Sequence, residues 1–246
     1  MNKWKKVEEF HNSTKIDMSE LSKDIDIALN PYVLDKIHFK TYPRFEKIKL
    51  KYNFVNNKFE DILLTRRSFR EFSNKEIELD KISKLLRLSA GITFIKDDDW
   101  NKSFRSNPSA GARYPLEIYL VVKKIKDLKP GIYHYDVKSH QLEFLWENEI
   151  SKNISKYFDQ EWVEKASVIF IITSVFDRTL IKYGDRGYRY VLFDAGHLVQ
   201  NLYLVSNYLD LAGCAIGGFC DDKLNEMLDI VKTRETVLYA FALGTR

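Results

Sequence analysis

Four stretches of this 246-residue chain set reactive or ligand-binding side chains close together. Thr65-Arg-Arg-Ser-Phe-Arg70 brings three guanidinium groups and a hydroxyl within six residues. Two of these arginines with Ser68 suit a phosphate, and the third suits a ring carbonyl or another anion. A solvated basic patch is the plainer use of the same residues. Asn107-Pro-Ser-Ala-Gly-Ala-Arg-Tyr-Pro115 combines small residues with two prolines. That composition suits a rigid loop presenting backbone N–H groups, the Ser109 hydroxyl and Arg113 to a flat or phosphorylated ligand. Ile216-Gly-Gly-Phe219 offers backbone that a planar ligand can approach closely. Lys182-Tyr183, beside Gly184, is an adjacent titratable pair that by itself reads as a surface pair.

Holding these groups in place requires a mixed α and β framework. The Asn107 loop feeds Leu116–Val122, an apolar, β-branched and aromatic run that reads as a buried strand. Gly131–Asp136 and Gln141–Leu145 alternate with period two across a short turn, a hairpin. Ser167–Val175 is another apolar strand and Thr236–Leu243 a last one. Helical periodicity begins near residue 56 with Phe59, Ile62, Leu63 and Leu64. Ser73 to Glu76 offers a capping box for an apolar stripe from Ile77 to Leu88, ending at Gly91. Residues 92–106 read as a polar loop, and 147–165 as one or two polar amphipathic helices. Val191–Leu209 is apolar on nearly every face apart from Asp194, His197, Gln200, Asn201 and Asn207, so it is expected to be buried centrally or in a subunit interface. Gly213–Phe219 is glycine-rich, and Asp221–Leu228 is a short helix. Residues 1–55 form an extended arm with one short helix, broken at Asn30-Pro31 and Tyr42-Pro43 and carrying aromatics such as Tyr32. The main domain is 56–246.

Composition narrows the function classes. Apolar residues make up 45% and charged residues 30%, ordinary for a globular chain with a sizeable core. Sixteen Phe and fourteen Tyr favour broad packed interfaces and a stacking surface for a planar ligand. A net charge of +4 without a basic stripe gives no nucleic-acid footprint. Cys214 and Cys220 match neither a zinc knuckle nor a disulfide framework and read as buried free thiols in a reducing compartment. The five His lack metal-ligand spacing, and no Gly-x-Ser-x-Gly elbow, phosphate-binding Walker loop or dinucleotide glycine motif occurs. With a charged N-terminus and no long apolar run, the expectation is a cytoplasmic protein without a signal peptide or membrane span.

Six motifs in order give these features a family context. They are Arg66-Arg-Ser-Phe-Arg70, Pro108-Ser-Ala-Gly-Ala-Arg-Tyr-Pro-Leu-Glu117, Gly131-Ile-Tyr-His-Tyr135, Tyr183-Gly-Asp-Arg-Gly-Tyr-Arg-Tyr190, Asp194-Ala-Gly-His-Leu-Val-Gln-Asn201 and Ala215-Ile-Gly-Gly-Phe219. Over roughly residues 60–246 the chain resembles the nitroreductase-like flavoproteins, and among them the SagB-type dehydrogenases of thiazole/oxazole-modified peptide biosynthesis. Phe10-His-Asn-Ser-Thr-Lys15 in the arm is also similar to that subgroup.

The resemblance implies an α+β fold: a central, mostly antiparallel sheet wrapped by helices, in a homodimer with FMN at the interface. It implies that Arg66, Arg67, Ser68 and Arg70 bind the cofactor. Arg66 and Ser68 would hold phosphate and ribityl groups, and Arg70 would face the pyrimidine edge, where a cation stabilises the reduced ring. Pro108, Ser109, Ala110 and Arg113 match the loop laid against the partner's flavin. Ile216, Gly217 and Gly218 match the segment near flavin N5, and Arg246 a C-terminal phosphate contact. The implied reaction is oxidation of a precursor peptide's thiazoline or oxazoline ring. Lys182 and Tyr183 match the subgroup's catalytic pair, which removes the proton. A cyclodehydratase would be the partner that supplies the rings. The rival readings are an NAD(P)H-dependent nitro- or quinone reductase and a non-catalytic subunit of a peptide-modifying complex.

Overall fold

The computed structural model describes residues 4–20, 39–51, 57–147 and 154–246. The expected break at Asn30-Pro31, Tyr32 and the arm–domain boundary at 55/56 lie outside the described residues. Two strands that the sequence hides come first. β1 (Ile92–Ile95) and β2 (Ser103–Arg105) pair antiparallel where a polar loop was expected. The turn between them holds Asp97 and Asp98 at positive φ. The strands are short and half-open on both faces, with Phe94 and Phe104 58% and 43% exposed, so no apolar alternation marks them.

The main sheet has six strands: β3 (Leu116–Val122), β4 (Gly131–Asp136), β5 (Gln141–Trp146), β6 (Val168–Val175), β7 (Leu211–Ile216) and β8 (Glu235–Thr245). Their order is β5-β4-β3-β6-β8-β7, with every neighbouring pair antiparallel. Both faces are covered, which is why β3 and β6 read as continuous apolar runs rather than alternating ones. One face packs Leu120, Phe170, Ile172 and Phe241 beneath two helices, and the other packs Val121, Ile169, Ile171 and Ala240. The glycine-rich 213–219 segment is a strand up to Ile216. Cys214 and Cys220 are buried free thiols.

The helices are α1 (Lys5–Ser13), α2 (Lys58–Thr65), α3 (Leu79–Ala90), α4 (Asp177–Tyr183), α5 (Gly187–Tyr208) and α6 (Asp221–Met227). The capping box at Ser73 does not form. Ser73 is bridged to Thr245 through backbone and hydroxyl, Ile77 pairs with Ile125, and α3 starts only at Leu79. The described part of 147–165 holds two 3-10 turns, Ile154–Tyr157 and Glu161–Lys165, rather than an α-helix. They bury Ile154 and Val163 against the sheet.

α5 is less buried than its composition suggests: Leu192 and Phe193 are 41% and 55% exposed. α1 docks on the body of its own chain. His11 packs against Phe176 and Tyr188, Lys15 pairs with Asp222, and Glu8 with Arg234. Burial, and then the Lys15 charge, push the His11 pKa down to about 4. Among the described residues no helix is long and apolar enough to cross a membrane.

Candidate functional site

After α2 the chain runs extended beside the sheet's edge. The Phe69 N–H donates to Gly213 O at 3.0 Å, which sets Arg66–Arg70 along β7. Tyr203 on α5 joins helix, motif and strand. Its hydroxyl lies 2.9 Å from Ser68 Oγ and accepts from Ala215 N at 2.8 Å, while the Arg66 guanidinium sits 5.1 Å over its ring. Arg67 donates to the carbonyls of Leu64 and Arg66. Arg246 stacks 4.6 Å from the Phe69 ring and reaches Asn207 Oδ1 at 2.7 Å and Asp210 at 3.1 Å. Arg70 is exposed and has no hydrogen-bond or ion-pair partner among the described residues. Two residues past Ala215, Gly217 is exposed, and a Cβ there would meet nothing within 4 Å. Ile216 is buried beneath it, and Gly218 packs against Asp159.

The second half of the site forms around a 3-10 turn, Ala110–Ala112. Asp194 of α5, 2% exposed, accepts from Ser109 Oγ at 2.5 Å and from Ala110 N at 3.2 Å. Ser109 Oγ in turn accepts from Tyr114 N at 2.9 Å. The Ser109 hydroxyl is therefore an anchor of the loop rather than a free group facing solvent. Burial raises the Asp194 pKa, and the Ser109 hydrogen bond opposes that rise. Pro108 and Arg113 stay exposed, and Arg113 Nε donates to Arg178 O at 2.6 Å.

Gly111, at φ +61°, brings loop and lysine–tyrosine pair together: a Cβ there would lie 2.9 Å from Lys182 Nζ and closer still to Tyr183 Oη. Lys182 and Tyr183 end α4, with the ammonium 5.2 Å from the phenol ring and Tyr190 packed edge-on to Tyr183 at 5.0 Å. Gly111, Ala112 and Tyr114 all adopt positive φ, and at Ala112 and Tyr114 that is backbone strain of the kind held at functional loops.

Thus the chain brings Arg66, Ser68 and Arg246 together beside β7, and Ser109, Ala110, Lys182 and Tyr183 together at the other half. Tyr203 follows Asp194 by nine residues on α5, about 14 Å along its axis. Sequence reasoning assigned roles to neither Asp194 nor Tyr203. Asp194 left a trace as a carboxylate on an otherwise apolar helix. Tyr203 left none, since an aromatic there matches the core pattern.

The fold is an α+β one on an antiparallel sheet, and one helix, α5, anchors both halves of the candidate site through Asp194 and Tyr203. This chain belongs to the nitroreductase family, whose pattern matches residues 63–245. It is 34% identical over 205 residues to a nitroreductase-type protein of Methanocaldococcus jannaschii, covering 83% of this chain and 94% of that one. It is 32% identical over 154 residues to the trifolitoxin-processing protein TfxB of Rhizobium leguminosarum bv. trifolii, covering 55% of this chain and 39% of TfxB. The E. coli microcin synthetase McbBCD complex, solved with truncated pro-MccB17 bound, contains a chain that aligns with 99% of this one and 93% of its own length, at a TM-score of 0.74 and 21% identity. That last likeness establishes the fold, and the match to TfxB agrees with the SagB-type resemblance.

Proposed function

We propose that this protein is an FMN-dependent dehydrogenase oxidising thiazoline or oxazoline rings of a ribosomal precursor peptide to thiazole or oxazole. The observation that carries the reading is the packing of Lys182 and Tyr183 on Gly111, in the loop matched to the flavin. The donor set fits the cofactor. Arg66 and Ser68 offer charge and hydroxyl for the phosphate and ribityl groups, with Arg67 and Arg246 adjoining. Arg70 keeps its guanidinium free for the ring's carbonyl edge, and the open space at Gly217 admits a planar ring against backbone. The relatives' names support a peptide substrate, since one is a trifolitoxin-processing protein and the other lies in a complex holding pro-MccB17.

Aromatising an azoline removes a proton from one ring carbon and a hydride from the other, leaving a new C=C bond. Bound FMN supplies the hydride acceptor, at N5. Lys182 would take the proton, with the Tyr183 hydroxyl orienting or relaying it. Leu192 and Phe193 on α5, next to the open Gly196, give a face for a second copy of the chain. In that homodimer Pro108–Arg113 would reach the partner's flavin, and a cyclodehydratase would deliver the rings.

Lys182→Ala and Tyr183→Phe should keep their flavin and lose azoline oxidation, followed as loss of the mass of two hydrogens per ring. Full turnover in both variants would overturn the assignment. The M. jannaschii relative, matched over 94% of its length, favours a second reading as an NAD(P)H-dependent reductase. Rapid bleaching of the flavin by NADPH alone would select it.

A further inference from the structure

A separate cavity of about 390 Å³ shares the strained loop as a wall, at Ala112–Tyr114, and is otherwise lined from β2, β3, β4, α4 and the turns at Trp100–Asn101 and Val137–Lys138. Its charge is lopsided. Arg105, Arg113, Lys138 and Arg178 face it, against Glu117 and Asp136. Both carboxylates are already engaged. Glu117 takes Arg178 at 2.5 Å and His134 Nε2 at 3.2 Å, and Asp136 accepts from Lys138 N and Gln141 Nε2. Hydrogen bonds to Glu117 and Glu143 lift the His134 pKa to about 9, and Glu143 balances that charge.

Arg105 is the group left over. Its guanidinium stacks 4.8 Å from the Tyr114 ring, its buried Nε–H meets no acceptor, and among the described residues it has no ion pair. Burial and the nearby Arg178 work against its charge, and Glu117 only partly restores it. A planar donor fork held on an aromatic face, desolvated and unpaired, calls for an oxyanion.

We propose that this cavity binds an acidic side chain of the peptide substrate, with Arg105 as the principal contact. The proposal rests on the peptide reading above and adds a specificity determinant to it. The occupant brings Arg105 the negative charge that the cavity's own carboxylates, already engaged, do not supply. Because Tyr114 carries Arg105 and belongs to the loop that touches Lys182 and Tyr183, an engaged carboxylate would also steady that loop.

The test is calorimetric titration of the flavin-loaded full chain with short peptides that contain no azoline: a glutamate peptide, its glutamine counterpart, and inorganic phosphate. The glutamate peptide should bind about tenfold or more tightly than the glutamine one. Arg105→Gln should erase that preference while flavin content stays unchanged. Should Arg105→Gln not fold, Lys138→Gln on the cavity rim should reduce the preference instead. Equal affinity for the two peptides, or a preference that survives in the folded variants, would overturn the proposal. So would phosphate binding without any glutamate preference, which marks a free-anion site. If the preference holds and azolines are not oxidised, the reaction assigned above falls and the carboxylate site stands.

Discussion

Gly111→Ala tests the arrangement on which the functional reading rests. Two costs arise at this position. Alanine at φ +61° costs about 1–2 kcal/mol, offset by about 0.4–1 kcal/mol because the unfolded chain also loses freedom. The new methyl would also crowd Lys182 Nζ and, more severely, Tyr183 Oη. Lysine is long and swings aside. The phenol ends a helix and packs on Tyr190, so it must leave its rotamer at about 0.5–1.5 kcal/mol. The net is about 1–2.5 kcal/mol, a fall of roughly 3–8 °C in melting temperature for a chain of this size. Tyr183→Phe removes the atom in closest contact. The double variant should therefore recover about 0.5–1.5 kcal/mol relative to the sum of the singles. Stability comes from denaturant midpoints, and activity from azoline oxidation, which should fall in Gly111→Ala well beyond its loss of stability and stay low in the double variant. Strict additivity in the stability cycle, or wild-type turnover in Gly111→Ala, would refute the contact and with it the shared site.

Other perturbations probe the rest of the scaffold. Tyr203→Phe loses the hydroxyl that serves both Ser68 and Ala215 N, so stability should drop by about 1–2 kcal/mol and flavin should leak on gel filtration. Retained flavin at wild-type stability would show that Tyr203 does not couple motif to strand. His134 has its folded pKa raised from 6.5 to about 9, chiefly by the Glu117 hydrogen bond and then that of Glu143. A raised value means the folded state holds the proton more tightly. That contribution is complete below about pH 6.5 and lost as the pH climbs to about 9. Melting temperature across this window should fall more steeply for wild type than for His134→Gln, and parallel curves would contradict the network.

The strands and the site motifs were legible for different reasons. β3, β6 and β8 could be read because strands covered on both faces must be apolar throughout, and the β4–β5 hairpin because its alternation is local. β1 and β2 could not, since half-exposed strands of three or four residues carry no period. Ser73 looked like a helix cap because the pattern is blind to Thr245, which lies far along the chain and takes its hydrogen bonds. Spacing alone could give Lys182-Tyr183 no partner. Folding supplies one, because α4 ends at the glycine of a loop some seventy residues earlier, and only three-dimensional closeness separates that pair from a surface pair.

The helix joining Asp194 to Tyr203 acts as a ruler. One residue inserted between them would turn one anchor about 100° from the other and displace it by about 1.5 Å. The loop held by Asp194 and the strand held by Tyr203 would then no longer face their common helix in the same register. Length is thus fixed between residues 194 and 203, while the exposed turn at Lys96–Asp98 has room to vary. Among natural variants of this chain, insertions and deletions should cluster in such turns and avoid that segment of α5, even where its surface residues change freely.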